Sequence, residues 1–148
     1  MVLGYYNQWP SQEEVARRCN HSYELGCYDT DMKACFESYG LGCHIFNLQT
    51  LEDIEYWIDH NIPVIVDWFS PGLSCGPEEM PNGHSSVVVD IDKEKVYLLD
   101  PDIGAKRAIL RDDFLRVWFD WKKPLISTDP ENMVIRQLIV AFPKRLAQ

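Results

Sequence analysis

The run Asn82-Gly83-His84-Ser85-Ser86-Val87-Val88-Val89 is followed by a short polar link, Asp90-Ile91-Asp92-Lys93-Glu94-Lys95, and then by Tyr97-Leu98-Leu99-Asp100-Pro101. Two runs rich in valine and leucine, joined by a charged turn, read as a β-hairpin. With the turn centred on Asp92 or Lys93, His84 falls opposite Asp100 or within a residue or two of it. Directly opposed residues in an antiparallel pair have Cβ atoms about 4.5–5.5 Å apart, within reach of an imidazole–carboxylate hydrogen bond. An aspartate that holds one ring nitrogen fixes the tautomer and leaves the other nitrogen as a base. The same pair also suits a plain ion pair that pins the end of a hairpin, and spacing alone does not choose between the two.

Working outward, Ile62-Pro63-Val64-Ile65-Val66-Asp67-Trp68-Phe69 reads as a buried strand with proline at its edge. Residues 70–83 are a long loop of turn formers, a length more often functional than not. On the N-terminal side lie helical patterns. Residues 1–8 read as the end of a helix with no N-cap before it. Ser11 and Glu14 spell a capping box for a second helix reaching about Cys19. A third helix starts at Thr30-Asp31-Met32, carries Met32, Cys35, Phe36 and Tyr39 on one face, and ends at Gly40. A strand near residues 43–46 follows. Thr50 then opens a fourth helix with Leu51, Ile54, Trp57 and Ile58 at helical spacing. Past the hairpin come a short amphipathic helix at residues 111–119 and a last strand at residues 134–142. Helices first and a mostly antiparallel sheet after make the class α+β.

Composition bounds the function. The chain of 148 residues fits one domain over residues 1–148 with a proper core. A net charge of −9 and only short basic pairs argue against a nucleic-acid partner. No stretch approaches the roughly 20 apolar residues of a membrane span. The first residues lack the basic start and long apolar core of a signal peptide, so the default is a cytoplasmic protein with reduced thiols. The five cysteines are an odd number, which rules out complete pairing within one chain. Cys19, Cys27, Cys35 and Cys43 recur every eight residues, yet no pair has the close spacing of zinc ligands. Cys35 reads as a small core hydrophobe. The sequence calls for no metal and no cofactor. His21, His44 and His60 read as surface or helix-end residues. Trp68, Trp118 and Trp121 suit either the core or the wall of a substrate groove.

In this order the pieces resemble the C39 family of papain-like cysteine peptidases. The resemblance is carried by Met1-Val2-Leu3-Gly4-Tyr5-Tyr6 as a helix end, the capped second helix and the step Gly26-Cys27-Tyr28. It continues through Tyr39-Gly40-Leu41, the helix around residues 51–60, Pro63-Val64-Ile65-Val66, Gly83-His84 with its valine run, and Asp100-Pro101. The resemblance implies a papain-like fold, with His84 as general base and Asp100 as its orienting residue. It places the nucleophilic cysteine several residues ahead of Met1, at the start of the first helix, where the helix dipole lowers a thiol pKa, and the oxyanion-hole glutamine a little earlier still. The first helix is therefore expected to be cut short, and the chain as given to be inactive. Cys75, in Ser74-Cys75-Gly76-Pro77, mimics the nucleophile motif and is a candidate cleft residue together with Gly83 and Trp68. In the loop, however, it lacks the helix terminus that would activate it. Peptide hydrolysis, acyl transfer and peptide or protein binding without catalysis remain alternatives on this scaffold. Apolar surface around residues 1–9 leads to an expectation of self-association.

Overall fold

The computed structural model describes residues 1–69, 83–122 and 129–144. Cys75 and the loop around it lie outside the described residues. A six-stranded sheet organises the rest. Its strands are β1 (Leu41–Phe46), β2 (Val64–Phe69), β3 (Gly83–Ile91), β4 (Lys95–Asp100), β5 (Ala105–Leu110) and β8 (Leu138–Pro143), in the order β1-β8-β2-β3-β4-β5. Every neighbouring pair is antiparallel. β6 (Phe119–Trp121) and β7 (Met133–Ile135) form a separate two-stranded ribbon. The molecule is α+β.

The period-two alternation of β2 divides the core into two layers. Val64, Val66 and Trp68 point into one cluster with Val88, Leu98 and Val140. Leu51 and Ile54 of α4 (Leu51–Asp59) and Phe114 of α5 (Arg111–Val117) close that layer from outside. Ile65 points to the other face and joins Val87 and Ile139 under Val2 and Leu3 of α1 (Val2–Tyr5) and Phe36 of α3 (Asp29–Ser38). Burying both faces explains why β2 is apolar at every position but Asp67. Val2 and Leu3 are thus covered, and the apolar side chains left outside in this region are Met1, Tyr5 and Trp9.

The helix starts follow their sequence signals, with one departure. Thr50 and Asp53 make a complete capping box for α4. Ser11 caps α2 (Gln12–Arg18) by accepting from the Glu14 amide. The Glu14 side chain does not return that bond. It faces Arg18 at 2.8 Å and accepts from the Tyr39 hydroxyl at 3.2 Å, because a guanidinium one turn away is the stronger partner for a carboxylate.

The single strand expected over residues 134–142 is two. Arg136 takes a left-handed conformation (φ 49°), which breaks the run between β7 and β8. β8 then inserts between β1 and β2. Among the described residues no helix is long and apolar enough to cross a membrane.

Candidate active site

His84 is the second residue of β3, and Asp100 is the last residue of β4. The hairpin pairs Val87 with Leu99 and Val88 with Leu98, and its register shifts between Val88 and Asp90. Counting on from Val87, Ser86 faces Asp100, and His84 is the diagonal neighbour two residues along. Diagonal Cβ atoms are about 7–8 Å apart, a gap that an imidazole and a carboxylate together span. His84 Nε2 lies 2.6 Å from Asp100 Oδ1. The Asp100 side chain is 1% exposed and that of His84 is 14% exposed. A buried carboxylate requires the hydrogen of Nε2, so the basic lone pair is on Nδ1. Nδ1 faces outward, 3.5 Å from the half-exposed carboxylate of Asp102.

Asp100 holds two further partners that the sequence did not announce. The Asp102 amide donates to Oδ1 at 3.0 Å. Arg107, across the next hairpin on β5, donates to Oδ2 from Nε at 2.9 Å and from Nη2 at 2.8 Å. Asp100 pairs with Ala105 and Leu98 with Arg107, so Arg107 is diagonal to Asp100 on one side as His84 is on the other. Burial pushes the Asp100 carboxyl up. The His84 hydrogen bond, the Asp102 amide and the charges of His84 and Arg107 outweigh it and leave the group below its ordinary value. The signal for Arg107 was the short turn after Asp100-Pro101, whose Gly104 takes φ 59°. β5 itself alternates weakly and is mostly exposed.

Trp68 pairs directly with His84, their rings meeting edge-on with centroids 5.6 Å apart. Its indole Nε1 donates to Ser86 Oγ at 3.0 Å. At 1% exposure Trp68 is a floor beneath His84 in the core rather than a wall of an open groove. Trp118 is likewise core, with Nε1 donating to the Gln137 carbonyl at 2.8 Å.

Gly83 and Ser85 point to the opposite face of β3, and Ser85 Oγ donates to the buried Asp67 at 2.5 Å. A cleft of about 640 Å³ opens there, lined by Gly83, Ser85 and Asp67 together with residues 23–30, Asp120 and Trp121. A Cβ on Gly83 would overlap the Asp120 carboxylate, so any larger residue there must displace that side chain. The imidazole and the cleft thus share the first residues of β3, one on each face. Sequence reasoning placed Gly83 and Trp121 among groove candidates but did not find Asp67, Ser85 or Asp120.

His84, Asp100 and Asp102 also offer three ligand atoms within 4.8 Å of one another. The Arg107 guanidinium already neutralises Asp100, which disfavours a cation at that spot. The arrangement suits proton transfer: a buried carboxylate, an imidazole it orients and an outward basic nitrogen.

The profile of the Peptidase_C39 like family matches residues 1–124. No curated protein matches the chain. Among solved structures, the peptidase domain of Streptococcus ComA, a bi-functional ABC transporter involved in a quorum sensing pathway, superposes with a TM-score of 0.65 at 14% identity. The match covers 97% of this chain and 85% of that one. A C39-like peptidase from Bacillus anthracis gives 0.67 at 14% identity, covering 97% and 84%. A double glycine motif protease from an AMS/PCAT transporter, in complex with the leader peptide, gives 0.63 at 18% identity, covering 97% and 79%. At such identities the likeness speaks for the fold, and the profile, which spans most of the sequence, speaks for the family: the chain belongs to the Peptidase_C39 like family.

Proposed function

We propose that residues 1–148 are one C39-type domain whose complete form cleaves peptides through a thiolate, with His84 as general base and Asp100 as its orienting residue. The thiolate attacks the scissile carbonyl carbon. His84 Nδ1 takes the thiol proton and gives it to the leaving amine. A water, deprotonated by the same nitrogen, then releases the acid from the thioester. The observation that carries this reading is the 2.6 Å bond between His84 and a 1% exposed Asp100, at the strand end beside the cleft. A protease of the same fold holds a leader peptide in its structure, which makes leader-type peptides with a double-glycine motif the first substrates to try.

The nucleophile in this scheme is supplied from ahead of α1. Burial raises the thiols of Cys19, Cys35 and Cys43, the last two to about 12 and about 11, where thiolate is scarce at neutral pH. That observation also favours a second reading: a domain that binds such peptides and does not cut them.

One experiment separates the two. Residues 1–148 and any longer product of the same gene are assayed on a fluorogenic double-glycine peptide. Cleavage blocked by iodoacetamide and lowered about 10²–10⁴-fold in His84→Ala supports the peptidase. Binding by both proteins with no cleavage by either supports the binding domain. Cleavage that His84→Ala leaves untouched overturns the assignment.

A further inference from the structure

Three cysteines that looked merely periodic in sequence converge in space. Cys19 caps the C-terminus of α2, Cys35 lies on the buried face of α3, and Cys27 follows the turn closed by the Ser22–Gly26 bridge. The thiols of Cys35 and Cys27 both bear on the titration of the Cys19 thiol. Cys27 Sγ also approaches the Cys19 carbonyl at 3.2 Å and the Tyr28 carbonyl at 3.4 Å.

Cys19 is the common neighbour of Cys27 and Cys35, and the three do not make a chelate. Among the described residues the three sulfurs do not form a set with all ligand atoms within 4.8 Å of one another. A zinc ion with Zn–S distances of about 2.3 Å would demand such a set. Access differs among the three. Cys19 is 8% exposed and Cys35 is 3% exposed, whereas Cys27 is half-buried and lines the cleft.

We propose that Cys19 and Cys27 form a thiol–disulfide exchange site for low-molecular-weight disulfides, entered through Cys27. The Cys27 thiolate attacks one sulfur of R–S–S–R, forming a mixed disulfide and expelling R–S⁻, which takes a proton. The Cys19 thiolate then attacks the Cys27 sulfur and expels the second R–S⁻. Two protein thiols lose two electrons and two protons, and the disulfide gains them as two R–SH. Burial holds the Cys19 thiol above its ordinary value, so the second step is slow at neutral pH and quickens as pH rises. The bond would staple the two ends of the turn whose residues 23–27 form a rim of the cleft, fixing the shape that a bound peptide meets. The site stands whether or not the domain cleaves peptides.

The test uses residues 1–148 with glutathione disulfide as the probe, followed by alkylation of remaining thiols, digestion and mass spectrometry. The expected result is a Cys19–Cys27 cross-link that forms several-fold faster at pH 9 than at pH 7. Cys19→Ser should instead accumulate one glutathione on Cys27, and Cys43→Ser, on β1 beneath α3, should behave as the parent. A parent protein that keeps glutathione on Cys27 without the cross-link, pairs Cys27 with Cys75 or leaves Cys27 unmodified overturns the proposal. Because the cross-link is mapped in the unmutated chain, a variant that fails to fold does not decide the outcome.

Discussion

Arg107→Met is the sharpest probe of how Asp100 is held. The substitution keeps an unbranched apolar stem but removes both donors to Asp100 Oδ2, at 2.8 and 2.9 Å. A carboxylate 1% exposed then keeps only the His84 and Asp102 donors, both on Oδ1. A hydrogen bond to a charged group contributes about 1.5–3 kcal/mol, and breaking a buried ion pair costs about 3–5 kcal/mol. With two donors remaining, a loss of about 2–3 kcal/mol is expected, which for a chain of this size lowers the Tm by about 8 °C. The loss depends on pH in a definite direction. The Asp100 carboxyl sits below its ordinary value in the folded state, so its stabilisation is full above the unfolded value of about 3.9 and fades as pH falls through the folded value. In the methionine variant that depression shrinks. The gap between the two proteins should therefore be wide at pH 7 and should narrow below about pH 3.9 as Asp100 protonates in both. Urea unfolding followed by tryptophan fluorescence at pH 7 and pH 3 measures it. A gap at pH 3 as wide as at pH 7 would show that Arg107 acts by packing over the Trp68 ring, 5.8 Å away, and would refute the charge argument. No loss at pH 7 would refute it outright.

Other outcomes follow from single contacts. Gly83→Ala drives a methyl into the Asp120 carboxylate, which should cost about 1–3 kcal/mol in urea unfolding and weaken peptide binding at the cleft mouth. Trp68→Phe removes the 3.0 Å bond to the Ser86 hydroxyl and leaves that buried group without its donor, a loss of about 1–3 kcal/mol by thermal melting. With thiol pKa values pushed up to about 12 and about 11, Cys35 and Cys43 should expose only about one thiolate in ten thousand and one in a thousand at pH 8. Native-state iodoacetamide labelling at these two positions should accordingly be orders of magnitude slower than in urea, as read by peptide mass spectrometry.

The parts of the fold written in local chemistry were legible. A valine run ending in a charged turn gave the β3–β4 hairpin, and Thr50 with Asp53 gave the start of α4. The parts set by pairing at a distance were not. The bulge between Val88 and Asp90 shifts the hairpin register by one residue, which sets Asp100 opposite Ser86 instead of Val87 and so on the same face of the sheet as His84, its diagonal neighbour. Arg107 reaches the same carboxylate only because the following turn aligns Leu98 with Arg107. Nothing within residues 105–110 marks that arginine out. The cysteine cluster was hidden for a related reason. Eight-residue spacing matches no ligand pattern, and the contact exists only because the 19–28 turn folds α2 back against α3.

The alternation of β3 also limits where a nucleophile can stand. His84, Ser86 and Val88 face the layer closed by α4 and α5, whereas Val87 faces α1. On the proposed peptidase reading, a thiolate carried on the axis of α1 would approach from the face opposite the imidazole. Deep in the sheet the strand itself would separate the two. His84 is the second residue of β3, beside a glycine whose missing side chain leaves the backbone open to the cleft. Only at such a strand end can an imidazole on one face and a group from the other meet around the edge of the sheet. On that reading Gly83 and His84 act as a unit. It also means that enlarging residue 83 should disable the site even where the His84–Asp100 bond survives. Gly83→Ala that retained full cleavage in the complete protein would show that the nucleophile comes from the imidazole's own face.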